Sequence, residues 1–446
     1  MWLTQNGMPA IHSKYLCLGC KQIKFSPLPV WVQIAVTLFN HPMTEEISYQ
    51  TITSSNELTS FCERNQGSEY VGFDTEFVSE NRYRPELCLV QVATDSEIAI
   101  IDTLAIENIN EFWEWLVGGS QITVAHAARE EFLFCFRACQ KQPKKLFDVQ
   151  LAAAFVGLDY PASYSNLVSQ LLGSYVAKGE TRTDWRRRPL TDRQMQYALF
   201  DVVHLRDLYE VIEGHLKRLK RLAWYIDEVD LWMEELVKME TEPNWQRVSG
   251  ITSLNPRELA IVRELWICRD IEAARRNRSA KRVIPDDLIV ELAKRGSSSI
   301  SSFKAIRGFE NRVSRGISSE ISEAIEKANG LAKTELPKKL PRGKSMNLGL
   351  LGQFLSTALT VVCRDQQISP AIVGTASDVR KMAAWRLGLL KMDEPPSLVQ
   401  GWRAEIVGQL IDQVLNGAIA IRVGDPKSDT PLVIEYLSEA AQRADP

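Results

Sequence analysis

Hydrophobic positions change period along the chain. Tyr70–Phe77 (YVGFDTEF), Leu87–Thr94 (LCLVQVAT) and Glu97–Leu104 (EIAIIDTL) are rich in β-branched and aromatic residues and are divided by short polar turns, so each predicts a strand. Parallel neighbours need a crossover of about a dozen residues, and gaps this short instead predict an antiparallel three-strand meander. Helical spacing follows over Asn108–Val117, a fourth strand over Gln121–His126, a helix over Ala128–Cys139 and a short strand near Leu146–Val149. From Leu151 the period is almost wholly helical. The order βββαβαβ followed by helices predicts a mixed α/β sheet whose helices cover its faces.

Breaks in the helical period divide the rest. Pro243 and Gly250 interrupt it near Glu242–Gly250, and Leu331–Ser345 (LAKTELPKKLPRGKS) has the Pro- and Lys-rich composition of a solvated linker. The expected organisation is an α/β unit over 43–242, a helical unit over 250–330, the basic linker 331–345, and a mostly helical third unit over 346–446. Residues 1–42 show no sustained period and little charge. They are expected to be a mis-extended or weakly ordered leader, with Met43 as the natural start.

At 446 residues, with 45% hydrophobic and 24% charged residues, the chain can bury large cores, which excludes global disorder. Fifty-three Lys and Arg against 56 Asp and Glu give a net charge of −3, so binding to nucleic acid through a bulk cationic coat is excluded, while local basic patches are not. Eight cysteines are too few and too scattered for a disulfide framework. Cys17 and Cys20 form one CxxC without a second pair at zinc-ribbon distance. The apolar run Pro27–Phe39 is shorter than the roughly 18 residues of a membrane span. No membrane association and a cytoplasmic, reducing location are expected.

The candidate chemistry is acidic. Asp74 and Glu76 are two apart on an apolar strand, so both carboxylates share one face. Adjacent like charges on a core strand are costly unless a cation compensates them, and oxygen-only ligands suit Mg²⁺ or Mn²⁺. A strand edge facing water is the ordinary alternative. On the helix from Thr191 to Leu208, Thr191 and Gln194 predict a capping box, and Tyr197 and Asp201, four apart, share a face. Alone they also read as a helix-surface pair. Glu130 and Glu131 fall in the first turn of a helix, where the macrodipole favours carboxylates. Asp148 reads most simply as an N-cap. In this order the acids can converge at one sheet edge, where such a cluster can hold two metals for phosphodiester hydrolysis.

The segments GFDTEF, YRPELCLVQVAT, VAHAAREEFLFC, LFDVQLAAAFVG, TDWRRRPLT and YALFDVVHL together resemble ribonuclease D, a DEDD-type 3′→5′ exonuclease family on a ribonuclease H-like fold. The resemblance runs from about Met43 to the C-terminus. It implies a two-metal exoribonuclease (Mg²⁺ or Mn²⁺) with ligands Asp74, Glu76 and Asp201, and with Tyr197 positioning the attacking water. Gln196 stands where the histidine subclass would place its His, so the tyrosine subclass is implied. The family's second motif normally carries Asp where this chain has Glu131. Glu131 is therefore expected as a fourth ligand with one methylene more reach, and weak or Mn²⁺-preferring activity is one consequence. The resemblance also implies trimming of structured RNA, tRNA precursor 3′ ends above all, by a monomer.

Trp185 with Arg186, Arg187 and Arg188, just before the Tyr197 helix, is read as substrate-binding, against the alternative of a salt-bridged loop. Arg82 and Arg84 are lesser candidates, and His126 and His204 are expected to pack or support. The second unit resembles the HRDC domain that ribonuclease D shares with RecQ-type helicases. Leu254–Lys327 holds 15 Lys and Arg against 11 Asp and Glu. Arg275, Arg276, Arg278, Lys281 and Arg282, extended by Lys338, Lys339, Arg342 and Lys344, form either a solvated face or a single-strand guide. The third unit resembles a second HRDC-like domain, in which Trp385 and Trp402 are expected in the core. A 3′→5′ DNA exonuclease and a nucleic-acid-binding protein attenuated through Glu131 are the competing functions.

Overall fold

The computed structural model describes residues 47–174, 183–339, 348–407, 409–428 and 430–437. The expected leader, the Cys17/Cys20 pair, and Arg342 and Lys344 of the linker lie outside the described residues.

Six strands form the main sheet: β1 (Gln50–Ile52), β2 (Tyr70–Val78), β3 (Glu86–Thr94), β4 (Ile98–Ile101), β5 (Ile122–Ala125) and β6 (Leu146–Asp148), in spatial order β1-β4-β3-β2-β5-β6. The expected meander is present, with β3 antiparallel to both β2 and β4. β5 joins β2, and β6 joins β5, in parallel. β1, parallel to β4 at the edge, has three residues, too few to show a period in the sequence.

Helices cover both faces: α1 (Ser55–Arg64), α2 (Asn110–Gly118), α3 (Arg129–Cys139), α4 (Val149–Ala154), α5 (Tyr164–Leu172), α6 (Asp192–Val203), α7 (Leu205–Arg218) and α8 (Leu222–Thr241). Val71 and Phe73 point into a core with α1, α2, α3 and Met233 and Leu236 of α8. Phe61, Phe73 and Phe112 are fully buried there, each stabilising the fold by about 2–3 kcal/mol. The opposite face of β2 carries Tyr70, Gly72, Asp74 and Glu76 and lies against α6 and α7. Pairing of β2 with β5 stops at Gly72. Beyond it, Asp74–Val78 has a free edge on that side, and this opening admits the acidic site.

The HRDC-like unit has its own core, built from α9 (Pro256–Arg276), α10 (Asp286–Arg295) and α11 (Ser318–Gly330). It meets the β2–β3 loop, where Tyr83 Oη donates to Asp270 Oδ2 (2.9 Å) and the Ser279 amide to the Asn81 carbonyl (3.3 Å).

The third unit contains α12 (Gly349–Asp365), α13 (Ala376–Arg386) and α14 (Gly401–Val407). It is mostly helical as expected, with strands in one place. The GAIAI stretch leaves its helix at Gly417, whose φ of 68° is left-handed, and enters the hairpin β7 (Ile419–Val423) and β8 (Leu432–Tyr436). This unit also shares a core with the first: Leu355, Leu359 and Trp402 pack with Phe155, Tyr225 and Val229. The Arg221 guanidinium donates to the carbonyls of Phe155 (2.8 Å) and Gln367 (2.6 Å), and Arg403 pairs with Glu228 (2.6 Å). The linker divides the sequence and not the core. Trp402 is buried as expected and stacks on Trp224, while Trp385 is half-buried with Arg386 over its ring.

Candidate active site

The backbone of β2 aims Asp74 and Glu76 at α6. That helix starts where expected: Thr191 and Gln194 close a capping box. Ala198 and Leu199 pin it to Leu89 and Ile100 of the sheet, and with this face fixed, Tyr197 and Asp201 turn towards β2. Carboxylate oxygens of Asp74, Glu76 and Asp201 all lie within 4.8 Å of one another, the one such acidic group among the described residues.

Three half-buried carboxylates this close repel each other. Burial and the neighbouring Asp201 hold Asp74 well above the ordinary carboxylate range. Burial, then Asp74, Asp201 and Glu131, pushes Glu76 up to about 9. Burial raises Asp201 to about 7, against a lowering hydrogen bond from the Tyr197 hydroxyl. No basic side chain offsets this charge among the interactions acting on the three acids. A hard divalent cation fits this all-oxygen donor set and would reverse the shifts. Tyr197 itself is raised further by burial and by the acids around it.

Glu131 reaches the cluster from the other side. It stands in the first turn of α3, buried, and its Oε1 accepts from Thr75 Oγ1 at 2.7 Å. Thr75 faces away from Asp74 and Glu76, so Glu131 sits at the free edge of β2, outside the three-carboxylate group but close enough to raise Glu76. Asp148 is the N-cap expected of it: its carboxylate accepts from the amides of Gln150 and Leu151 and also of Ala127 and Ala128. His126 Nε2 meets the Ala162 carbonyl at 3.0 Å, and buried His204 caps α6. Both are supporting positions.

Known proteins are similar to this chain in sequence and fold. Residues 49–217 match the model of a 3′-5′ exonuclease family, and residues 258–325 that of the HRDC domain. A protein named ribonuclease D from Granulibacter bethesdensis is 31% identical over 83% of this chain and 94% of its own length. Another of that name from Gluconacetobacter diazotrophicus is 32% identical over 80% and 90%. The crystal structure of Escherichia coli RNase D, described as an exoribonuclease involved in structured RNA processing, superposes with a TM-score of 0.71 at 25% identity, covering 83% of this chain and 99% of that one. This chain belongs to the ribonuclease D family. It is accordingly a divalent-metal-dependent 3′→5′ exoribonuclease acting on RNA.

Against that family frame, the arginine run divides. Arg186 pairs with Asp184 (2.8 Å). Arg188 pairs with Asp102 (2.5 Å) and donates to the carbonyls of Trp185 (2.7 Å) and Cys88 (3.0 Å), tying the loop to the sheet. Trp185, read from the sequence as substrate-binding, is 3% exposed and packs on Tyr197 at 6.1 Å, so it is a wall supporting Tyr197 and offers no open face to a base. Of the three arginines, Arg187 is the one exposed without an ion pair to the described residues. Arg82 and Arg84 pair with Glu86 and Glu240. Two residues escaped the sequence reading, Thr75 and Gln91. The second left a signal: it is the lone amide inside the apolar run LCLVQVAT.

Proposed function

We propose that Asp74, Glu76 and Asp201, with Glu131 at the strand edge, hold two divalent ions, Mg²⁺ or Mn²⁺, and that this site removes nucleotides from RNA 3′ ends, those of tRNA precursors foremost. The convergence of three carboxylates without a compensating cation among the described residues is the observation that carries this reading. Bound there, the ions supply a lowered pKa for water and stabilisation of the leaving oxygen. Tyr197 has a different role. Its phenol stays neutral in this acidic surrounding, so it orients a water through its hydroxyl and does not act as a base.

Arg187 beside α6, and Arg278 and Arg282 in the segment that follows α9, supply cations for the phosphate backbone. The HRDC-like unit touches the β2–β3 loop directly, which brings its basic segment to the rim of the site. In this reading the protein is a cytoplasmic monomer. Among the described residues no helix is long and apolar enough to cross a membrane.

The test uses 5′-labelled RNA and DNA strands with Mg²⁺ or Mn²⁺, comparing wild type with Asp74→Ala and Asp201→Ala. A stepwise ladder on RNA, lost in both variants, is expected. Undiminished digestion by either variant would overturn the site assignment, and equal digestion of DNA would overturn the substrate. Binding without digestion of either strand would favour the attenuated reading.

A further inference from the structure

Gln91 lies in the middle of β3 with no exposed surface, and neither its Oε1 nor its Nε2 has a hydrogen-bond partner among the described residues. Native interiors pair nearly all such groups, because an amide stripped of water recovers nothing from apolar neighbours. An orphan of this kind at the centre of a sheet calls for a polar group within reach of its side chain.

The strand register identifies that partner. Gln91 stands directly opposite Asp74 in the antiparallel pair β2–β3. Directly opposed residues project to the same face with Cβ atoms about 5 Å apart, so a Gln side chain can reach the opposed carboxylate. Its other cross-strand neighbour is Ile100, and Leu89 and Ala93 flank it along β3. These offer no side-chain acceptor, and the next carboxylate on this face, Glu76, stands opposite Leu89 and so lies diagonally and further from Gln91 than Asp74 does.

We propose that Gln91 is a positioning residue for Asp74: its Nε2–H donates to one oxygen of the ionised carboxylate and leaves the other turned toward the cleft. A hydrogen bond to a charged acceptor is stronger than one to a neutral acid. Register and reach place the amide to make this bond, which fixes the oxygen of Asp74 that faces the cleft. This rests on Asp74 being a metal ligand. Partners that orient metal ligands are commonly worth 10- to 100-fold in metal affinity or activity.

The experiment compares wild type, Gln91→Met and Asp74→Asn in the full chain, measuring Mn²⁺ binding by calorimetry, metal-free melting temperature, and kcat and KM on a short RNA. Gln91→Met keeps the side-chain length and removes the amide. It is expected to melt no lower than wild type without metal, to bind Mn²⁺ roughly 10- to 100-fold more weakly, and to lose kcat with little change in KM. A residue that only fills the core would change melting and leave Mn²⁺ affinity alone. Mn²⁺ affinity within about threefold of wild type in Gln91→Met, with affinity lost in Asp74→Asn, would overturn the role of Gln91 and leave the metal site standing. Equal Mn²⁺ binding by wild type and Asp74→Asn would overturn the metal-site reading and this one with it. Should Gln91→Met fail to fold, Gln91→Asn, too short to reach Asp74, carries the same measurements and the same outcomes.

Discussion

The carboxylates of β2 and α6 and the arginines of 186–188 are both dense runs of like charge, yet the fold treats them oppositely. Arg186 and Arg188 find partners inside the chain, in Asp184 and in Asp102 with three carbonyls. Asp74, Glu76 and Asp201 find one another, Tyr197 and a backbone hydrogen bond at Thr75, and no basic side chain among the described residues. Arginine carries five donors on a long, adaptable stem, so a loop can satisfy it locally. Short carboxylates fixed to a strand and a helix cannot turn away. Charge that a fold leaves unsatisfied is the better guide to function, and charge density alone is a poor one.

The largest expected effect breaks the acidic side of this contrast. Asp201→Asn keeps the shape and the contact with Tyr197 but removes one ligand charge. Turnover on a short RNA should fall by at least ~10³-fold, since metal-ion catalysis contributes several kcal/mol of transition-state stabilisation. Undiminished turnover in the purified variant would sink the mechanism.

The next effect follows from the raised acids. Glu76 is held at about 9 and Asp201 at about 7 in the folded protein, against ordinary values of 4.5 and 3.8. Between the ordinary and the raised values the folded state binds more protons than the unfolded chain, so metal-free stability falls as pH rises through that window. Melting of the metal-free protein should drop by roughly 5 °C between pH 5.5 and 8.5. Saturating Mg²⁺, which binds the deprotonated acids, should flatten the slope and bind more tightly as pH rises. A metal-free melting temperature that is level with pH would contradict the compressed-charge picture.

Legibility in the sequence follows the same divide. The meander, the Thr191 cap and the shared face of Tyr197 and Asp201 were readable because each depends on local period or spacing. Asp74 and Glu76 were readable because two acids on an apolar strand conflict with their surroundings. What escaped depends on partners far away in the chain: Arg188 meets Asp102, Trp402 meets Phe155 and Glu228, and Gln91 meets Asp74 only through strand register. Trp185 was misread because an aromatic beside three arginines has the composition of a binding loop, while its burial is set by packing on Tyr197, Leu89 and Ile100.

The basic side of the contrast is sharpened by separating two neighbours. Arg188→Ala leaves Asp102, itself buried, without its cation and strips a donor from the Cys88 and Trp185 carbonyls. It should destabilise the protein by about 2 kcal/mol, below the usual cost for a fully buried pair because Arg188 is partly exposed. Arg187→Ala should change stability by no more than about 0.5 kcal/mol, and should raise KM for RNA roughly fivefold if it contributes a phosphate contact of about 1 kcal/mol. Urea unfolding and steady-state kinetics on the two variants read both quantities. The reverse pattern, with KM moved by Arg188 and stability by Arg187, would mean that the loop rearranges on binding RNA.

The smallest effect concerns Glu131, which the fold ties to a hydroxyl of its neighbouring strand while burial and Asp74 hold it well above the ordinary carboxylate range. Glu131 occupies the position where the ribonuclease D resemblance expects Asp, and its extra methylene lets Oε1 reach Thr75 Oγ1 on the far face of β2. Glu131→Asp shortens that reach, so it should cost about 1 kcal/mol of stability through the lost hydrogen bond while turnover is retained or raised. Thr75→Val should cost a similar amount. The double variant should cost less than the two added together, because both remove the same contact. A fall in turnover of ~10²-fold in Glu131→Asp, the size expected from about 1 Å of misplacement, would show instead that the longer side chain places a carboxylate the reaction needs.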